Sequence, residues 1–166
     1  MDTKRLVTLS IFLSISIVLS IVESFIPSIS VPGAKLGLAN IMTLVILNLY
    51  GEKDAFLIVI LRIFLVALLR GTIGAPAFFL SLSGGFLAYF MMVLFNKLKI
   101  FSIVGVSVMG SLGHSLGQVL MAMIILSLPE LVYYFPLLFL IAVPTGIFTG
   151  FVAKKFTEIS KKAIFI

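Results

Sequence analysis

The sequence has no cysteine, no tryptophan, one histidine and only 6 acidic residues among 166. Without cysteine there is no disulfide framework, no thiol nucleophile and no Cys-ligated metal or iron–sulfur site. The single histidine, His114, has no carboxylate at a ligand spacing, so no metal site is expected. Asp2 and Asp54 are the sole aspartates, which leaves no aspartate pair to hold Mg²⁺ on a diphosphate. There is also no P-loop and no nucleophile beside a base. The chain is therefore expected not to be an enzyme by itself and to carry no cofactor. Charge is scarce as well, at 11% of residues, and 61% are hydrophobic; a soluble domain has about 25% and about 45–50%. That balance excludes a soluble globular domain.

What is present is a series of long apolar runs. A helical crossing takes about 20 apolar residues, and runs bounded by charge, proline or glycine lie at 6–25, 36–50, 54–70, 77–95, 101–128 and 131–153. The expectation is one membrane domain over residues 1–166, an all-α bundle of six transmembrane helices. The first run reads as a retained helix rather than a signal peptide, because no small-residue cleavage site follows and Glu23 interrupts its end. The net charge of +6 lies in short clusters between apolar runs, which mark topology and not nucleic-acid binding. Cytoplasmic loops carry the Lys/Arg excess. With both termini inside, Lys4, Arg5, Lys53, Lys97, Lys99, Lys154, Lys155, Lys161 and Lys162 fall in the cytoplasm, leaving Lys35 and Arg70 near the outer face. The outer segment from Pro27 to Lys35 holds two prolines and a glycine and reads as a turn-rich cap. With the connections near 71–76 and 128–130 it would form a lid.

A few residues are costly to keep in such a chain. Arg62 sits between Ala55–Leu61 and Ile63–Leu69, where an ionised side chain costs about 2.5–3.5 kcal/mol at the membrane centre on insertion scales. It either bridges helices or receives an anion. Arg70 lies about 80° around the helix and roughly 12 Å further out, where it either snorkels to the interface or marks a second, shallower station. Lys35 is either a solvated loop lysine or a third cation at the same cavity. Glu23 and Glu130 are the plausible outer counter-charges, so a partly dehydrated cavity there would prefer a phosphate, diphosphate or carboxylate.

On the fifth run, His114 and Gln118 stand one turn apart on one face, beside the small-residue track Gly113-xxx-Gly117. They either bond across helices or touch a ligand. Asn40 is a further polar candidate on the second run. Small residues recur as Ser10-xxx-Ser14 and Ala142-xxx-Gly146-xxx-Gly150. Such tracks usually pack helices together, but an outward-facing Ser10/Ser14 track would dock a partner membrane protein.

Three stretches, Pro32-Gly-Ala-Lys-Leu-Gly-Leu-Ala-Asn40, Gly71-Thr-Ile-Gly-Ala-Pro-Ala-Phe78 with Ser81-Leu-Ser-Gly-Gly85, and Gly105-Val-Ser-Val-Met-Gly-Ser-Leu-Gly-His-Ser-Leu-Gly-Gln118, resemble a known family. It is the bacterial membrane family of heptaprenyl diphosphate synthase component I, also called the Gx transporter family. That family is similar in layout to the substrate-binding S components of energy-coupling factor (ECF) importers. The resemblance implies a multi-pass protein of the bacterial plasma membrane, a ligand site open to the outer face, and a first-helix small-residue motif. That motif docks a transmembrane coupling subunit driven by cytoplasmic ATPases. Here it would be Ser10 and Ser14 in place of the usual alanines.

The expected function is an S-component-like subunit that binds a small anionic or amphiphilic ligand. Arg62, Arg70 and Lys35 would hold the anionic end, and His114, Gln118 and Asn40 would orient it. The family label implies an alternative, an accessory membrane component in making the isoprenoid tail of menaquinone. A third reading, implied by relatives, is a membrane subunit of quinone- or flavin-linked extracellular electron transfer.

Overall fold

A computed structural model describes residues 3–25 and 37–164. Among these residues the chain is all helical, with α1 (Thr3–Glu23), α2 (Asn40–Leu49), α3 (Glu52–Leu69), α4 (Pro76–Lys97), α5 (Ile103–Leu126) and α6 (Phe135–Ile164), the last preceded by a 3₁₀ segment at Pro129–Tyr134. Four stretches are long and apolar enough to cross a membrane: α1, α4, α5, and the 3₁₀ segment with α6. The other two helices differ for physical reasons. α2 has 10 residues, about 15 Å at 1.5 Å per residue, against a hydrocarbon core of about 30 Å. It is buried at every position from Asn40 to Leu47, as an apolar helix enclosed by its neighbours must be. α3 has 18 residues but carries Glu52, Lys53, Asp54 and Arg62.

Local signals set the helix ends. α3 starts after Gly51, whose φ of +94° suits a residue without a Cβ. Glu52 and Asp54 then sit in its first turn, at the positive end of the helix dipole. Pro76 opens α4, where its missing N–H costs nothing. The Ser102 hydroxyl caps α5 by accepting from Gly105 N at 3.2 Å. α6 runs beyond the expected stop at 153. The sequence reading ended the helix where lysines begin, yet Ala153, Thr157 and Ser160 stay buried while Lys154, Lys155, Lys161 and Lys162 face outward. The amphipathic pattern carries the helix on, out of the apolar span.

Small residues bring α4, α5 and α6 together. A Cβ on Gly117 would lie 2.5 Å from the Ser83 carbonyl oxygen, and one on Gly113 would lie 2.9 Å from that of Leu87, so α5 meets the α4 backbone. The Ser83 hydroxyl donates to the Gly117 carbonyl across the seam. On the other flank, Cβ atoms on Gly146 and Gly150 would fall 2.7 and 2.8 Å from the Cα atoms of Val108 and Val104. The Ser107 and Thr149 hydroxyls bond there at 2.9 Å. These contacts are van der Waals packing of the kind that drives helix association in lipid.

The two ends of the bundle differ in chemistry. At one end Arg5 of α1 pairs with Asp54 of α3 and lies 5.7 Å from the centre of the Tyr50 ring. Lys97 of α4 pairs with Glu52 at 3.0 Å, and the Tyr89 hydroxyl donates to the Glu52 carbonyl. The last turns of α1 and α3 and the first turns of α2 and α4 therefore gather at the opposite end. The site is built there.

Candidate functional site

Arg62 enters the bundle because its neighbours on α3 do: Ile58, Val59, Ile63 and Val66 form the same buried stripe. It is 5% exposed. Both terminal nitrogens donate to Asn40 Oδ1 of α2, each at 3.4 Å, longer than the usual range of about 2.7–3.2 Å. Arginine has only donors, so this contact fixes the Asn40 amide with its oxygen toward Arg62 and Nδ2 turned away. Nδ2 then stands beside Gly37, where a Cβ would meet it at 3.0 Å and His114 Cδ2 at 3.3 Å. Gly37 has φ +86°, a conformation other residues rarely adopt.

His114 of α5 lies between two glycines. Its Cδ2 edge faces Gly37, while Cε1 and Nδ1 lie 3.0 Å from the position of a Cβ on Gly84 of α4. Gln118 packs on the same glycine through Cγ at 3.0 Å, and a Cβ on the adjacent Gly85 would approach Arg62 Nη2 to 3.4 Å. The Gly84–Gly85 pair is thus a floor without side chains, pressed by α5 on one side and α3 on the other. Asn40, His114 and Gln118 are buried. Among the described residues, Asn40 Nδ2, Gln118 Nε2 and Thr43 Oγ1 have no hydrogen-bond partner. A buried donor left unmade costs about 1–3 kcal/mol.

Glu23, at the last turn of α1, completes the arrangement. It is 4% exposed, and its Oε1 accepts from the backbone N–H of Gly37 and, at 3.2 Å, of Leu38. Its charge also attracts Arg62. Glu23, Gly37, Arg62, Arg70, Thr72 and His114 help line one cavity of about 30 Å³. A water needs about 10–15 Å³ on this measure, so the cavity suits a charged headgroup or a few waters and not a whole metabolite.

The structure thus brings Arg62, Asn40, His114 and Gln118 of the expected set into one polar cluster drawn from α2, α3 and α5. Arg70 lies at the cavity wall with its residue exposed. Lys35 and the expected cap at 26–35 lie outside the described residues. Gly37, Gly84 and Gly85 adjoin the cluster without any sequence signal for that role, and from sequence Glu23 reads only as a counter-charge. The signal for Glu23 was its place at the end of an apolar run, and the glycines stood within the motifs already quoted. Ser10 and Ser14 are exposed on α1. Their hydroxyls bond back to the carbonyls of Leu6 and Ser10 on their own helix, and with Leu6, Val7 and Ile11 they line an open groove. No group of three or more His, Cys, Asp or Glu side chains among the described residues is placed to hold a metal ion.

Among known proteins, the model of the family described as heptaprenyl diphosphate synthase component I matches residues 12–156. No curated protein and no solved structure matches.

Proposed function

From the premise that this chain belongs to the heptaprenyl diphosphate synthase component I family, we propose that it is a membrane-embedded binding subunit for a small anionic ligand. In this reading it acts as an ECF S component does, passing the ligand to a transmembrane coupling subunit energised by cytoplasmic ATPases. The observation that carries the reading is the buried Arg62 guanidinium on a cavity wall, held by long bonds to Asn40 and set among buried amide donors that lack acceptors. Buried charges are retained in membrane spans chiefly where they serve a ligand, ion or relay. Asn40 and Gln118 stand behind the lining of that cavity, and an oxyanion that reached Asn40 Nδ2 and Gln118 Nε2 would supply the acceptors they lack.

Arg62 holds the anion in the interior, and Arg70 meets it at the mouth. Asn40, His114 and Gln118 orient it. Lys35 adds positive charge from the neighbouring segment. In this reading both termini lie in the cytoplasm of a bacterial cell and the cavity opens outward, supported by the basic clusters at the far end and the positive-inside rule. The ECF-like part of the reading rests on the sequence resemblance and on the outward face of Ser10 and Ser14. Ser14→Trp, at an exposed position, is expected to leave the fold and ligand binding intact. It stops uptake into cells or vesicles containing the coupling subunit. Uptake at the unmodified rate removes the docking role.

The test of the function itself is mass spectrometry of small molecules released from the protein after gentle purification in lipid nanodiscs, with Arg62→Met as the matched control. A water-soluble anion present in the native protein and lost in the variant is the expected result. Recovery of the same molecules from both proteins overturns the assignment of the site. The family description favours a second reading, an accessory subunit of polyprenyl diphosphate synthesis. That reading requires co-purification with an aspartate-rich soluble prenyltransferase and indifference to changes at Arg70.

A further inference from the structure

We propose that the Gly37 and Leu38 amides, with Arg62 and Asn40, form an oxyanion receptor that Glu23 occupies as an internal competitor. Competition weakens every external anion alike, so the site retains one with more charge and more acceptor oxygens than Glu23, a dianionic phosphoryl group, where a monocarboxylate is lost. The proposal rests on the reading of this cavity as an anion site and names the class of anion it takes.

The two amides belong to the turn that opens α2, where Asn40 N donates to the Gly37 carbonyl at 2.9 Å and Ile41 N to that of Leu38 at 3.1 Å. Amides at the start of a helix point outward and carry its positive end, which favours anions. Here the anion is the chain's own Glu23 carboxylate, buried and bonded to both amides. A second donor waits beside it: Asn40 Nδ2, on a residue 4% exposed, adjoins Gly37 and has no acceptor. Arg62 adds a guanidinium attracted by Glu23 and bonded, among the described residues, to Asn40 alone at 3.4 Å.

A tethered group competes at an effective concentration in the millimolar range or higher. A free monocarboxylate offers the same charge and the same two oxygens as Glu23, so it gains nothing by displacing it. A phosphate dianion brings about one more charge and a third acceptor oxygen. It can engage the amides, Arg62 and Asn40 Nδ2 together, and charge-assisted bonds of this kind are roughly twice as strong as neutral ones. The exposed Arg70 on the same cavity supplies a further positive charge. A soluble phosphate and a lipid phosphomonoester share this chemistry.

The experiment titrates inorganic phosphate and acetate calorimetrically into the full-length protein in phosphatidylcholine nanodiscs. The native protein is expected to prefer phosphate by about tenfold or more, a difference of about 1.4 kcal/mol. Glu23→Gln keeps an oxygen for the two amides but withdraws the competing charge, so acetate and phosphate both bind about tenfold more tightly and the preference for phosphate persists. Should Glu23→Gln fail to fold, Glu23→Asp, with a carboxylate one methylene shorter, is expected to tighten both anions by less. Phosphatidic acid included in the nanodisc separates the sources. If it blocks phosphate titration the ligand is a lipid phosphomonoester, and if it does not the ligand is soluble; either result upholds the receptor. Acetate and phosphate binding that is unchanged or weaker in Glu23→Gln overturns the competitor role alone. Phosphate binding that survives Arg62→Gln, or a native protein that binds neither anion, overturns the anion site as well.

Discussion

Replacing Arg62 with methionine is expected to weaken phosphate binding by at least about 30-fold while leaving the bundle folded. Truncating one partner of a buried charged contact costs about 2–5 kcal/mol, and about 1.4 kcal/mol is tenfold, which sets that lower bound. Stability should respond less. Methionine fills a similar apolar volume and removes the desolvation penalty of a buried cation, although Asn40 Oδ1 loses the donors it has at 3.4 Å. Those two terms oppose each other. If Arg62 served only to bridge α3 and α2, the variant would instead melt far below the native protein, and whatever folded fraction remained would bind phosphate normally. Arg62→Lys sharpens the comparison, because it keeps the charge but not the planar fork. It should fall between the two, with melting temperature near native and phosphate affinity reduced. Thermal unfolding and phosphate calorimetry on the same nanodisc samples separate these outcomes.

Much of this polar cluster was legible because polar residues are conspicuous in apolar runs. Arg62 stands out in an apolar run, and the i, i+4 spacing of His114 and Gln118 places both on one helical face; all three are buried in one cluster with Asn40. The tracks Gly113-xxx-Gly117 and Gly146-xxx-Gly150 also announced close packing, and both touch neighbouring backbone. What sequence did not reveal depends on contacts between distant residues. Glu23 looked like the end of a span, because nothing local indicates that its carboxylate reaches the amides of Gly37 and Leu38. Gly84 and Gly85 looked like two more helical glycines, since only the approach of His114, Gln118 and Arg62 gives them a role. The apolar run at 36–50 looked like a crossing, but hydropathy does not distinguish a spanning helix from a short one enclosed by others. α2 proved to be the enclosed kind.

Gly117→Ala is expected to be among the most damaging single-methyl additions to this protein, destabilising it by about 1–3 kcal/mol or more, as overpacking does. The new Cβ would lie 2.5 Å from the Ser83 carbonyl oxygen and 2.9 Å from Gly84 Cα. Both are backbone atoms of α4, so no side-chain rotation relieves the clash and the two helices must separate. Gly105→Ala on the same helix is the control. Its Cβ would meet Phe101 Cδ1 at 3.2 Å, a side-chain atom able to move, and replacing a helical glycine with alanine gains about 0.5–1 kcal/mol. That variant should melt at or above the native temperature. A third substitution separates packing from recognition: Gly84→Ala directs its Cβ at His114 Nδ1 and Gln118 Cγ, each at 3.0 Å. Those are side-chain atoms, so the expected result is a small change in melting with a clear loss of phosphate affinity. If Gly117→Ala melts like the native protein, the α4–α5 seam is looser than the close approach of Ser83 and Gly117 requires. If Gly84→Ala binds phosphate undiminished, His114 and Gln118 are helix-packing groups, and the anion site contracts to Arg62, Asn40 and the α2 amides.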